Sequence, residues 1–429
     1  MNQAKDYYRA TAPSLGLPTL RGELATKVAV IGGGYAGLCT ALGLMERGIA
    51  EVTVLEAKEI GFGASGRNGG FVFAGYSRPE SRLLKELPRE HARRLFRYTL
   101  DAVETVRQRI RRYRIACEAI EAGVLWADWF PGAPLARARQ RLLAEGFGLD
   151  WPLISQEALA REHLRTPRYF GALLEPNGFH VHPLKLAQGY AQALRAGGVA
   201  IYERSPVLEL SCRGREYLLT TPEGRVQAEH VVLALGGYSR PLLARAHRAL
   251  LPIATYVMCT QPDPIIAQAI PTAAAVYDTR FAFDYYRRLP DGRLLWGGRI
   301  SILDRSPETV AALLRRDLRR VFPELAELPI EYAWSGLMGY GRSQMPHIGA
   351  VAPRLWLNQG YGGHGVATTT VGGELIAAAI AEGDERWRDF EAYAPRPAYG
   401  VLGLIAAELR YLWLQFRDWL RERAMREPA

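Results

Sequence analysis

Between residues 27 and 56 the chain runs strand, glycine turn, helix, strand, acid, and this order constrains the fold more than any other feature. Lys27 to Ile31 is a short apolar, β-branched run, followed at once by Gly32-Gly33-Gly34-Tyr35-Ala36-Gly37. Leu38, Ala41, Leu42 and Met45 then recur on one helical face as far as Arg47-Gly48, and Val52-Thr53-Val54-Leu55 forms a second strand ending in Glu56. A G-x-G-x-x-G between a strand and a helix, with an acid closing the next strand, is the pattern of a βαβ unit that binds a dinucleotide. Gly32 permits the tight turn, Gly34 lets a pyrophosphate approach the backbone, and Gly37 lets the helix pack closely on the strand. The free amides at the helix start would face the pyrophosphate. Glu56 would accept hydrogen bonds from ribose hydroxyls. The motif alone does not choose between NAD and FAD.

The next segment does. Gly61-Phe62-Gly63-Ala64-Ser65-Gly66-Arg67-Asn68-Gly69-Gly70 is a glycine-dense loop, suited to close backbone approach and rich in donors for anionic oxygens. Here the chain resembles the FAD-dependent amine and amino-acid oxidase family (glycine oxidase, sarcosine oxidase, D-amino-acid oxidase), and most of all its γ-glutamylputrescine oxidoreductase branch, which carries the G-A-S-G-R-N-G-G string. The likeness covers roughly residues 20 to 385. It implies that Ala64, Ser65, Arg67, Asn68, Gly69 and Gly70 run along the FAD pyrophosphate and ribityl chain, that Val207 sets its backbone against adenine, and that Gly236 ends a buried strand beside the cofactor. It further implies that the turn Gly362-Gly363-His364-Gly365 meets the pyrimidine end of the flavin, where a helix N-terminus would stabilise the charge of the reduced ring. His364 either shares that role or is a turn histidine.

The fold class expected is α/β plus α+β. A discontinuous Rossmann-like FAD-binding domain (1–79, 152–245 and 334–390) carries an antiparallel-sheet substrate domain (80–151 and 246–333) and a C-terminal amphipathic tail (391–429). In the substrate domain, Asp284-Tyr285-Tyr286-Arg287 alternates along a strand, with Tyr285 and Arg287 on one face and Tyr286 on the other. Tyr286 or Arg287 is expected to anchor the substrate, with His364 completing the catalytic set.

Departures from the family pattern shape the expected chemistry. Met338 stands where glycine-oxidase-like members have a carboxylate-clamping arginine, and Val366-Ala367 follows the G-H-G turn without the lysine of sarcosine-oxidase-like members. An amine, or an amino acid larger than glycine or sarcosine, therefore fits best. No cysteine follows Cys259, so FAD is expected to be non-covalent. No lysine follows Lys185, which removes the family's oxygen-promoting group and leaves either oxygen or quinone as acceptor. The expected reaction is oxidation of a CH–NH bond to an imine by hydride transfer to flavin N5, then hydrolysis. The alternative is a membrane-associated L-amino-acid or pipecolate-type dehydrogenase feeding quinone.

Composition excludes several other classes. With 48% hydrophobic and 23% charged residues the chain is an ordinary globular one. Its four cysteines are scattered, which argues against a disulfide framework or a zinc site and for a reducing compartment. No metal site is expected. The net charge of +10 rests on arginine, but no basic stripe interleaved with aromatics marks a nucleic-acid surface. No signal peptide or spanning segment is visible, which points to the cytoplasm. In the tail, Leu402, Ile405, Leu409, Leu412, Phe416 and Trp419 recur at helical spacing with arginines on other faces, so a peripheral helix on the inner membrane surface is expected; the alternative is a helix folded back on the protein.

Overall fold

A computed structural model describes residues 6–238 and 241–426. Its first sheet is built on the predicted βαβ unit. Strand Gly22–Ile31 lies parallel to Val52–Leu55 on one side and to Gly224–Leu233 on the other. Ala200–Tyr202 extends the sheet at one edge, and Leu355–Gln359 and His347–Ala352 extend it at the other. Val28, Ala29 and Val30 are fully buried because helices cover one face and a hairpin layer the other, which explains the unbroken apolar run. Helix Tyr35–Glu46 packs against helix Gly365–Glu382 at glycine crossings. A Cβ on Gly373 would stand 2.7 Å from the Cys39 backbone, and one on Gly43 would stand 2.8 Å from Ala377 Cβ.

The long helix Arg89–Arg112 carries the arginine-rich segment. Most of its arginines lie on the solvated face, as expected, but Arg109 is buried between these two helices, where it pairs with Glu46 (2.6 Å) and Glu374.

The second sheet has the order Ile330–Tyr340, Leu251–Thr260, Leu294–Ser301, Tyr285–Arg288, Ala275–Asp278, Val124–Ala127, Ala172–Glu175, Leu153–Ile154. Its pairings are antiparallel except Val124–Ala127 with Ala275–Asp278, which run parallel. Two segments expected in the cofactor half belong here. Leu153–Ile154 and Ala172–Glu175 form one edge, and Ile330–Tyr340 carries the sheet past residue 334 because it pairs with Leu251–Thr260 along nearly its whole length. Helix Pro307–Arg319 covers the back of this sheet with Val310, Leu314 and Leu318.

The tail is a single helix, Gly400–Arg426, and it docks on the second sheet by its polar side. Glu408 accepts from the Ile302 amide (3.0 Å), Asp418 from the Phe281 amide (2.7 Å), and Glu422 from Trp129 Nε1 (2.8 Å) while pairing with Arg168 (3.0 Å). The predicted apolar stripe exists but points outward: Leu402, Ile405, Leu409, Leu412, Phe416 and Trp419 are all exposed. Among the described residues no helix is long and apolar enough to cross a membrane.

Candidate active site

The glycine turn after strand Gly22–Ile31 opens on a cavity of about 1400 Å³ between the two sheets. That exceeds the roughly 300–1,000 Å³ of a single small-molecule site, so it has room for a dinucleotide and a second ligand. Gly32 takes φ +116°, a conformation reserved for glycine, and a Cβ there would collide with the Ala234 carbonyl. A Cβ on Gly34 would stand 2.9 Å from Ser65 Oγ, which itself accepts from the Tyr35 amide (2.9 Å). Gly34 caps helix Tyr35–Glu46 without a side chain of its own, Ser65 Oγ takes only the Tyr35 amide, and the first turn holds no acid. The helix start therefore presents amides to an anion. Gly37 does not line the cavity; it lets the helix lie against the Gly32 carbonyl.

Glu56 lines the cavity beyond the turn. Its carboxylate accepts from the amides of Gly33 (2.7 Å) and Lys58 (2.8 Å). Burial pushes its pKa up while those amides pull it down. Val207 and Gly236 also line this end. In the glycine-dense loop Ala64, Ser65, Arg67, Asn68 and Gly69 face the cavity, whereas Gly70 turns away to accept from the Val181 amide (2.8 Å). Arg67 stacks over Phe62 (4.6 Å) and forms no salt bridge among the described residues, although its charge reaches Asp6, and its guanidinium faces the cavity where an anionic cofactor would lie. The glycine cradle, the bare helix start and this arginine fit FAD.

At the other end of the cavity the walls are aromatic. Phe71, Phe73, Tyr277, Phe283 and Tyr285 meet ring to ring, with centroids 5.5–6.2 Å apart from Phe73 through Tyr277 and Phe283 to Tyr285. Phe71 stands 5.8 Å from Tyr285, and Phe73 stands 4.9 Å from the His364 ring. Gly362, Gly363, His364 and Gly365 line this region at the start of helix Gly365–Glu382. Desolvation pushes the His364 imidazole down to about 4, so it is neutral at physiological pH and supplies no cationic charge. Burial pushes the Tyr285 phenol up to about 12. Glu80 and Arg139 also line the wall but neutralise each other at 2.6 Å, and Arg139 donates to the Tyr277 hydroxyl (2.8 Å).

Neither expected substrate anchor reaches this chamber. Tyr286 points to the back of its sheet, where it stacks on Trp296 at 4.5 Å in the core under helix Pro307–Arg319. Its neighbour Tyr285 is the one that faces the cavity. Arg287 shares Tyr285's face but is 1% exposed and spent on the backbone. It donates to the carbonyls of Gly69 (2.7 Å) and Val181 (2.8 Å), and its guanidinium also contacts His180 Nδ1 (3.2 Å) and Tyr8 Oη (3.4 Å). It fixes the cofactor loop. Tyr8, on the short helix Tyr7–Thr11, reinforces this by donating to the Asn68 carbonyl (2.8 Å).

Sequence reasoning missed Phe71, Phe73, Tyr277, Phe283 and the tail residues Arg410, Tyr411 and Leu414, all of which line the cavity. The aromatic residues come from four separate segments, so only the fold shows them as a group.

Comparison with known proteins accords with this geometry. Over 414 residues the chain is 36% identical to the gamma-glutamylputrescine oxidoreductase of Escherichia coli (strain K12), covering 92% of this chain and 93% of that one. It is 30% identical to the probable oxidoreductase OrdL of Haemophilus influenzae, covering 97% of each. Glycine oxidase from Geobacillus kaustophilus superposes with a TM-score of 0.73 at 20% identity, over 87% of this chain and 99% of that one. The DAO model, described as FAD dependent oxidoreductase, matches residues 27–379, and the chain belongs to that family.

Proposed function

We propose that the enzyme oxidises the CH–NH bond of an amine, or of an amino acid larger than glycine, to an imine that water then hydrolyses to a carbonyl compound and ammonia or an amine. The observation that carries this reading is the aromatic chamber opening on the glycine cradle. Rings on several sides favour an amine-bearing carbon chain, and the titratable groups lining the chamber are neutral at pH 7 or paired with each other. An ammonium entering such a chamber loses hydration, which favours the neutral amine, the form that can be oxidised. Met338 lines the cavity at the position of the missing family arginine, so a carboxylate is not clamped there. The likeness to gamma-glutamylputrescine oxidoreductase supports an amine over a simple amino acid.

FAD, when bound, supplies the two-electron acceptor. The glycine loop, Glu56 and Arg67 would hold it, and Tyr285, Tyr277, Phe73 and Phe283 would orient the substrate and exclude water. FAD is held non-covalently in this reading, since no cysteine follows Cys259. Acid precipitation should leave yellow FAD in the supernatant. Anaerobic mixing with a panel of amines and amino acids should bleach the bound flavin with amines fastest. Bleaching by small amino acids alone would refute the amine reading.

A second reading concerns the electron acceptor. The outward face of the tail helix sets Leu402, Ile405, Leu409, Leu412, Trp413, Phe416 and Trp419 in solvent, with Trp413 60% exposed. A face of this composition suits the headgroup boundary of a membrane, where a quinone would serve as acceptor. Co-sedimentation with anionic liposomes, and faster turnover with a quinone than with oxygen, test it. A protein that ignores liposomes and consumes oxygen at full rate would exclude it.

A further inference from the structure

We propose that Tyr8 is a cofactor-positioning residue, and that residues 6–20 form a strap across the two sheets whose attachment limits the rate at which FAD leaves. This rests on the reading of the glycine cradle as an FAD site.

Four successive carbonyls of the cofactor loop each receive a donor from a different element. Trp334 Nε1 donates to the Arg67 carbonyl (3.0 Å) and the Tyr8 hydroxyl to that of Asn68 (2.8 Å). Arg287 Nε donates to the Gly69 carbonyl (2.7 Å) and the Val181 amide to that of Gly70 (2.8 Å). In a planar trans peptide the N–H points opposite to the C=O. The amides of Asn68 and Gly69 are therefore turned away from Trp334 and Tyr8, and neither finds an acceptor among the described residues. The Gly70 amide, by contrast, is taken by Asn68 Oδ1 (2.7 Å). Asn68 and Gly69 both line the cavity. A backbone amide without a partner is a donor in need of an acceptor, and FAD is rich in them. By holding the Asn68 carbonyl, Tyr8 fixes the direction in which the Gly69 amide points.

Tyr8 is wholly buried, with its ring against Trp334 (5.4 Å) and His182 (4.8 Å). On either side of it the chain is tied to both halves of the molecule. The Tyr7 hydroxyl donates to Asp291 (3.0 Å), in the turn before strand Leu294–Ser301 of the second sheet. The Thr11 hydroxyl lies 2.9 Å from His182 Nε2, at the start of helix Pro183–Ala196. The Leu17 and Leu20 amides donate to Glu203 (3.0 Å) and Ser205 (2.9 Å), just past the edge strand Ala200–Tyr202 of the first sheet. Asp6 and Arg9 line the cavity, and Arg9 rests on Phe62 (5.3 Å), the ring that also carries Arg67.

The segment thus bridges the two sheets and grips the cofactor loop from the side opposite its unpaired amides. It precedes residue 27, where the match to the family model begins, so it lies outside what that model describes. Detaching it would release the Asn68 carbonyl and let the loop swing away from the cavity.

The test follows FAD release from the holoenzyme by the recovery of free-flavin fluorescence after dilution. Tyr8→Phe deletes the hydroxyl and keeps the ring. It should raise the dissociation rate constant about tenfold, as expected for one lost buried hydrogen bond, and change the visible circular dichroism of the bound flavin. Tyr217→Phe loses a comparable bond, to the Pro353 carbonyl (2.8 Å), away from the cavity, and should leave the rate within about twofold. A protease site placed in the largely exposed stretch 13–16 leaves the strap intact until it is cut. The uncut protein should release FAD at the wild-type rate, and the cut protein, after gel filtration, about tenfold faster or more. Wild-type release from Tyr8→Phe, or from the cut protein, overturns the proposal while leaving the FAD site standing. A full-length protein that carries no flavin and binds none on titration removes the cofactor reading, and the proposal with it.

Discussion

Replacing Arg287 by methionine separates a loop anchor from a substrate anchor. The side chain makes two short bonds to buried carbonyls, at 2.7 Å to Gly69 and 2.8 Å to Val181. Hydrogen bonds from a charged group contribute about 1.5–3 kcal/mol each, so losing both costs roughly 3–6 kcal/mol. The guanidinium is 1% exposed and has no carboxylate partner among the described residues, so its removal also recovers part of a desolvation penalty. The net destabilisation should be on the order of 2–4 kcal/mol, or a Tm lower by about 4–8 °C at roughly 2 °C per kcal/mol. Because the lost bonds hold the Gly69–Gly70 stretch, FAD should also bind more weakly, which quenching of free FAD fluorescence during titration measures directly. Arg287→Lys should rescue part of both effects by restoring one donor. Among molecules that retain FAD, KM for the best amine should change less than about threefold. Wild-type Tm and FAD affinity combined with a KM raised tenfold would refute the reasoning and return Arg287 to the substrate.

Three further outcomes are expected. Gly34→Val should weaken FAD binding by about 100-fold or more, because a Cβ there already stands 2.9 Å from Ser65 Oγ and a branched side chain would fill the pyrophosphate approach; near-stoichiometric yellow protein would contradict this. Glu175 is buried and pushed up to about 7 by desolvation, above its unfolded value of 4.5, so the folded state holds the extra proton. Its contribution to stability is thus full below about pH 4.5 and lost as pH rises through 7, an effect on the order of 3 kcal/mol. Glu175→Gln should flatten the denaturation midpoint between pH 5 and 8, and an unchanged pH profile would contradict the assignment. Glu422→Ala should free the end of the tail helix by removing acceptors for Trp129 and Arg168, so limited proteolysis near Tyr399 should accelerate while bound FAD is unchanged.

The parts of the site that were legible from sequence are those encoded locally. Gly32, Gly34, Gly37 and Glu56 lie within one βαβ unit, where spacing alone fixes their relative positions. The Tyr285–Arg288 strand was legible as a strand but not as to which face meets the cavity. Tyr286 is buried against Trp296 and Tyr285 is half-buried against Phe71, and each face also carries an arginine, so polarity does not tell the two faces apart. Arg287 misled for a related reason. An arginine on a strand facing a cofactor domain looks like an anion site, and only the fold shows the Gly69 and Val181 carbonyls waiting for it. The tail was legible as an amphipathic helix with its apolar stripe turned away from the protein, but not the polar residues that tie it to the protein. Here Glu408, Asp418 and Glu422 face it, because Ile302 and Phe281 offer amides and Trp129, Arg168 and Arg320 offer donors.

The cavity takes its lining from Asp6 near one end of the chain to Leu414 near the other. During synthesis, therefore, the lining is incomplete until Leu414 has been added. Ligand binding to the folded form alone shifts the equilibrium toward that form by mass action. A cell short of riboflavin will accordingly hold this enzyme as an apoprotein that is more open to proteases, so that its abundance, and not only its activity, follows the flavin supply.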